Sequence, residues 1–126
     1  MAPQGSLSYG RKALSSYALF YITVPQIEMA QAMARDLLEK KLIACANILP
    51  QMQSIYHWQG QVQEDSEVVL LLKSRLELKS QITEAVLQLH SYDCPAILAL
   101  PIQEGHQPFL NWMGAQTLDP RQAEEK

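Results

Sequence analysis

Residues 44–75 read as two long β-strands joined by one tight turn at 59–61, a hairpin too long for a chain of 126 residues to enclose. Before the turn, Met52, Tyr56 and Trp58 alternate among β-formers; after it the strand ends in an unbroken apolar run at 68–72. At ~3.3 Å per residue the first arm spans roughly 50 Å if straight. A compact domain of this length is only about 35 Å across. The arm therefore bends at Pro50, leaves the domain, or does both. A ribbon that leaves its domain carries unpaired edges, which invite aggregation unless a partner covers them. The economical solution is a symmetric oligomer in which ribbons pair between subunits.

Composition narrows the class. A chain that is 48% hydrophobic at this length suits one globular domain. Its net charge is −3, and its lysines and arginines are scattered, which argues against electrostatic binding of nucleic acid or membrane surfaces. Cys45 and Cys94 lack CxxC spacing, so neither a disulfide scaffold nor a thiol-rich zinc site is expected, and a reducing cytoplasmic setting fits. No stretch approaches the ~20 apolar residues of a membrane span. Residues 1–16 have no hydrophobic core of a secretion signal and are expected to form a disordered leader, although Arg11, Lys12 and the serines faintly resemble a transit peptide.

Six main elements follow along the chain. Residues 19–24 form a β-rich run stopped by Pro25. Ala30, Met33, Ala34, Leu37 and Leu38 recur at helical spacing, with Glu28 early and Lys40 and Lys41 late, as the helix dipole favours. The two ribbon arms are the second and third strands. Leu78, Ile82, Ala85, Val86 and Leu89 form the stripe of a second helix. Residues 96–102 make a fourth strand, whose Pro101 marks an edge or a bulge. A short last helix at about 108–115 carries Phe109 and Trp112. The order β-α-β-β-α-β plus a C-terminal helix is the split βαβ pattern of a ferredoxin-like α+β sandwich. The domain is expected at 17–115, with a flexible tail at 116–126. Consecutive apolar residues at 68–72 require cover on both faces of the third strand. Symmetry mates are the natural cover, and three sheets packed around an axis would supply it.

Several chemistries on this fold are excluded by their sites. An RNA-recognition module needs stacking aromatics and a basic-Gly-aromatic signature on its third strand, where this chain has EVVLLLK at 67–73. An acylphosphatase-like enzyme needs an arginine cradle in the first loop, where this chain has TVPQ at 23–26. There is no P-loop, GxSxG or HExxH, and no nucleophile, base and orienter stand together at recognisable spacing, so no enzyme is expected.

The segments ACANILP at 44–50, SIYHW at 54–58, EDSE at 64–67 and ALPI at 99–102 resemble the CutA divalent-cation-tolerance family. With Lys73, HSY at 90–92 and FLNW at 109–112, the resemblance covers residues 17–114. It implies a homotrimer of ferredoxin-like subunits, similar in architecture to PII signalling proteins and assembled through the long ribbon. It also implies a role in divalent metal tolerance, with copper or zinc as the ion. The family's bacterial metal positions, a cysteine ending the first strand and a His-His pair after the second helix, fall here on Ile22 and on Leu89-His90. Neither Ile nor Leu has a lone pair to donate. The resemblance thus leaves His90 as a metal ligand, with Cys45 or symmetry copies to complete the set; the alternative for His90 is a cap on the second helix. Animal relatives are linked to anchoring acetylcholinesterase, which implies a protein partner and a scaffold role without metal.

Other candidate residues carry two readings. Cys45 sits among apolar neighbours, where a free cysteine acts as a small hydrophobe. Glu67 and Lys73 are an even six apart and share a strand face, either in a subunit cleft or as separate surface charges. Tyr92 and Trp58 have polar tips on apolar bodies, the type enriched at interfaces. A ligand site, if the function uses one, is expected between subunits, lined by Glu67, Lys73, His90 and Tyr92.

Overall fold

The computed structural model describes residues 16–120; the expected leader, Ser16 aside, and the last part of the expected tail lie outside them. The described chain runs β1 (Tyr17–Val24), α1 (Ile27–Glu39), β2 (Cys45–Trp58), β3 (Gln61–Arg75), a 3-10 turn (Leu76–Leu78), α2 (Lys79–Leu89), β4 (Ile97–Ile102) and α3 (Gln107–Gln116). The four strands form one antiparallel sheet in the order β2-β3-β1-β4. That is the ferredoxin-like arrangement expected, with β4 and its Pro101 at an edge.

Alternation divides β1 and β3 between two faces. Ala18, Phe20, Ile22 and Val24 pair with Ser74, Leu72, Leu70 and Val68, and this face meets α1 and α2. Met33 and Leu37 of α1 and Ile82 and Val86 of α2 close that core without solvent exposure. Each large side chain so buried contributes roughly 1.5–3 kcal/mol. Leu38 and Leu89, expected in the helical stripes, are instead exposed. Leu38 stands about 100° round the helix from Leu37. Leu89 is the last residue of α2, where His90 has already turned to extended backbone.

The first helix ends without glycine. Lys41 adopts φ 60, its N–H bonds to Leu38 O at 3.0 Å, and Leu42 N–H bonds to Leu37 O at 3.0 Å. These two bonds define a Schellman cap with lysine at the left-handed position usually given to glycine. Leu42 then enters the core.

The ribbon both bends and leaves the body. Beyond Val68 the upstream half of β3 pairs with β2 alone, because β1 has ended at Val24. Some seven residues of each arm, ~23 Å, project this way. A register shift between Leu49 and Met52 puts a bulge at Pro50 and Gln51 on β2 while β3 continues evenly. At the tip Trp58 pairs with Gln61, so the turn is the two residues Gln59 and Gly60. Their φ values of 54 and 80 fit a type I′ turn, whose twist matches the hairpin.

The second sheet face is covered by a helix at one end only. There α3 lies over Leu19, Lys73 and Ile102, with Met113 buried against them. Arg75 fastens this helix: its Nε donates to Thr117 Oγ1 at 3.0 Å and one terminal nitrogen to Gly114 O at 2.8 Å. Thr117 is buried, and Leu118 N–H bonds to Lys41 O at 2.9 Å, so packing continues into the first residues of the expected tail. Elsewhere Thr23, Val69 and Glu67 are buried on this face, but Leu49, Leu98 and Leu100 are 48%, 56% and 46% exposed. Among the described residues no helix is long and apolar enough to cross a membrane.

Candidate functional site

The ribbon, the end of β1 and the loop after α2 enclose a cavity of about 730 Å³ on the open sheet face. The bulge on β2 determines which side chains line it. Before the bulge the odd-numbered residues of β2 share the face of Val69 and Leu71; after it the even-numbered Met52, Ser54, Tyr56 and Trp58 do. Opposite Met52 stands Glu67, and opposite Ser54 stands Asp65.

Glu67 is the centre of the arrangement. Its side chain is nearly buried, yet no lysine, arginine or histidine lines the cavity. Ser54 Oγ donates to Oε1 at 2.6 Å and the Tyr92 hydroxyl to Oε2 at 2.9 Å. Burial, the hydrogen bond to Glu67 and the charges of Glu67 and Asp65 raise the Tyr92 phenol above its ordinary value. Tyr56 donates to Asp65 Oδ2, and that bond raises its phenol in turn. Two phenols are thereby held neutral against two carboxylates.

His90 closes the rear of this cluster. Its ring lies 4.7 Å from that of Tyr92, centroid to centroid. The Tyr92 backbone N–H donates to Nδ1 at 3.1 Å, so Nε2 carries the proton and donates to Thr23 O at 2.8 Å. His90 is the C-cap residue of α2, but its ring binds β1 rather than the helix's own carbonyls. Both ring nitrogens are committed, which leaves no lone pair for a metal. Cys45 is paired with Lys73, four residues along the ladder from Val69, the partner of Thr23. That separation is ~13 Å, so Cys45 and His90 of one chain do not share an ion. Among the described residues no group of three His, Cys, Asp or Glu side chains is placed to hold a metal ion. The donors of one subunit's described residues do not by themselves fit a copper or zinc ion.

Lys73 is also apart. It shares the face of Glu67, as alternation requires, but six residues of strand, ~20 Å, separate them. Its ammonium lies 5.5 Å from the centre of the Phe109 ring, beside a second cavity of about 300 Å³ under α3. Phe109 in turn tilts against Trp112 at 5.5 Å. Within one subunit Glu67, Tyr92 and His90 come together, and Lys73 and Cys45 do not join them. Ser54 and Asp65 are not distinguished by the sequence reading, and Tyr56 only by its place in the alternation of β2. Counting the ladder back from the turn would have found them, since it pairs Ser54 with Asp65 and brings Tyr56 to the same side.

Comparison with known proteins agrees with this architecture. The family model described as CutA1 divalent ion tolerance protein matches residues 18–116. The divalent-cation tolerance protein CutA of Thermus thermophilus is 46% identical over 96 residues, 76% of this chain and 93% of the relative. The CutA homolog of Xenopus laevis is 42% identical over 99 residues, 79% of this chain but 66% of the relative; for the mouse protein CutA the share is 55%. The chain thus spans between about half and two thirds of these animal relatives. The crystal structure of CutA1 from Oryza sativa superposes with a TM-score of 0.80 at 38% identity, covering 82% of this chain and 95% of that one. A sheet order, a protruding ribbon and a sequence match that all coincide over the packed domain place this chain in the CutA1 divalent ion tolerance protein family.

Proposed function

We propose that the chain works as a non-catalytic homotrimer whose clefts, bordered by Glu67, Lys73, His90 and Tyr92, bind a small ligand. The observation that carries this reading is the open sheet face, where Leu49, Leu98 and Leu100 stand exposed beside a ribbon with free edges. A ring of like subunits buries all of these at once, because its contacts join different surfaces and close by rotation. The cleft reading requires Lys73 of one subunit to border the Glu67 cluster of the next, because ~20 Å separate the two within a single sheet. Divalent-cation tolerance is then the setting in which the module acts. Copper or zinc meets it as an outside ion, since the donors of one chain fit no resident metal. A protein partner seated on the same face would make the trimer a scaffold. Its free thiols, Cys45 and Cys94, suit the cytoplasm.

Sedimentation velocity at micromolar concentration tests the assembly: one species of three chains is expected, and a stable single subunit would overturn it. Calorimetric titration with Cu²⁺ and Zn²⁺ tests the metal question. Weak, non-stoichiometric heat is expected; tight binding lost in His90→Ala would restore a metal site.

A further inference from the structure

We propose that the side chain of Trp58 seats in the cavity under α3 of the next subunit, so that each copy of the chain supplies one knob and one socket. The inference rests on the ring reading above and names the contact that closes the ring. Trp58 is the last large side chain on the inner face of the ribbon, and it stands exposed. Tyr56, the other large ring on that projecting face, is held by its hydroxyl to Asp65. No ring among the described residues stacks on Trp58.

The socket matches this knob in size and chemistry. At about 300 Å³ the cavity has room for one large side chain, the low end of the range for small-molecule sites. Leu19, Ile102, Phe109, Leu110 and Met113 line it, Lys73 joins them, and no carboxylate does. The Lys73 ammonium lies 5.5 Å from the centre of the Phe109 ring, which tilts against Trp112. An indole entering there meets an aromatic pair and gives the ammonium a second, stronger ring face. The occupant has to be a second copy. Gln61, paired with Trp58, and Lys73 stand near opposite ends of β3, ~40 Å apart, so no chain fills its own socket. A knob at one end and a socket at the other make a head-to-tail contact, the kind that repeats until it closes by rotation. Trp58 shares the ribbon face of Asp65 and Glu67, so the same seating brings the socket's Lys73 to the acidic side of the ribbon.

The test is cross-linking, by a bismaleimide of short spacer, of the full chain carrying Cys45→Ser, Cys94→Ser, Gln61→Cys and His106→Cys. Gln61 pairs with Trp58 and His106 lines the socket, so Trp58 itself stays in place. Linked species of two and three chains are expected, ending at three. The yield should exceed by about tenfold or more that of a control in which Gln88→Cys, exposed on α2, replaces His106→Cys. Trp58→Ala in the linking chain should cut the yield by a similar factor, as loss of a buried interface tryptophan does, and Trp58→Phe should restore most of it. Leu19→Trp, which fills the socket from β1, should abolish linking with the ribbon untouched. Sedimentation of the same samples separates the failures. A trimer that links no better than the control, or whose linking is indifferent to Trp58→Ala and Leu19→Trp, refutes the seating and leaves the ring standing. A single subunit overturns the ring and the seating with it, whereas linked species beyond three chains uphold the seating and overturn closure.

Discussion

The Tyr92 hydroxyl donates to Glu67 Oε2 across 2.9 Å, and this bond ties the loop after α2 to the base of the ribbon. Because the Tyr92 phenol is raised from its ordinary 10.0, first by burial and then by Glu67, the folded chain holds that proton more tightly than the unfolded chain. Its stabilising contribution is complete below about pH 10 and is lost as the pH rises above that towards the folded value. Thermal melts between about pH 8 and 11 should therefore fall less steeply for Tyr92→Phe than for the wild type. Near neutrality the variant should lose about 1 kcal/mol, modest because the phenol is partly exposed.

Gly114 is required by a neighbour rather than by its own backbone. A Cβ there would meet the Tyr17 hydroxyl at 2.6 Å. Gly114→Ala should destabilise by roughly 1–3 kcal/mol through overpacking. In a Tyr17→Phe background much of that loss should disappear. A denaturant double-mutant cycle giving no coupling would show that the contact is not the cause.

Lys41 holds a left-handed conformation suited to glycine. Lys41→Gly should keep both capping bonds, relieve the strained φ and raise stability by about 0.5–1 kcal/mol, the larger unfolded-state entropy of glycine offsetting part of the gain. Urea midpoints measured at constant m-value report it directly.

Trp58 stands 56% exposed near the ribbon tip of the isolated subunit. In the proposed ring it is covered, so Trp58→Ala, or removal of Gln59 and Gly60, should shift sedimentation towards smaller species and make Tm depend on concentration. An unchanged monodisperse trimer from both variants would remove the ribbon from the assembly interface.

The fold was legible because its periodicities are local: the ribbon, the two amphipathic helices and the turn glycine each announce themselves over a few residues. The site was legible in part. Glu67 and Lys73 share a face as alternation requires, but the distance between them is a property of six strand residues that periodicity alone does not weigh. His90 was visible as a candidate, yet its partner Thr23 O lies 67 residues away and is a backbone atom, so no pattern pointed to it. The Schellman cap was hidden for the opposite reason, since its left-handed residue is a lysine. Leu38 and Leu89 fit a helical wheel but overhang the core, which only the packing of α1 and α2 decides.

The extra residue at Pro50 and Gln51 acts as a parity switch for everything downstream of it on that arm. Without it Ile55 and His57 would look inward, and the hydroxyls of Ser54 and Tyr56 would turn away from the acidic groups they now hold. The cavity's chemistry is therefore encoded in chain length at one point as much as in residue identity around its wall, and a family member one residue shorter there would present an inverted ribbon on an otherwise identical body.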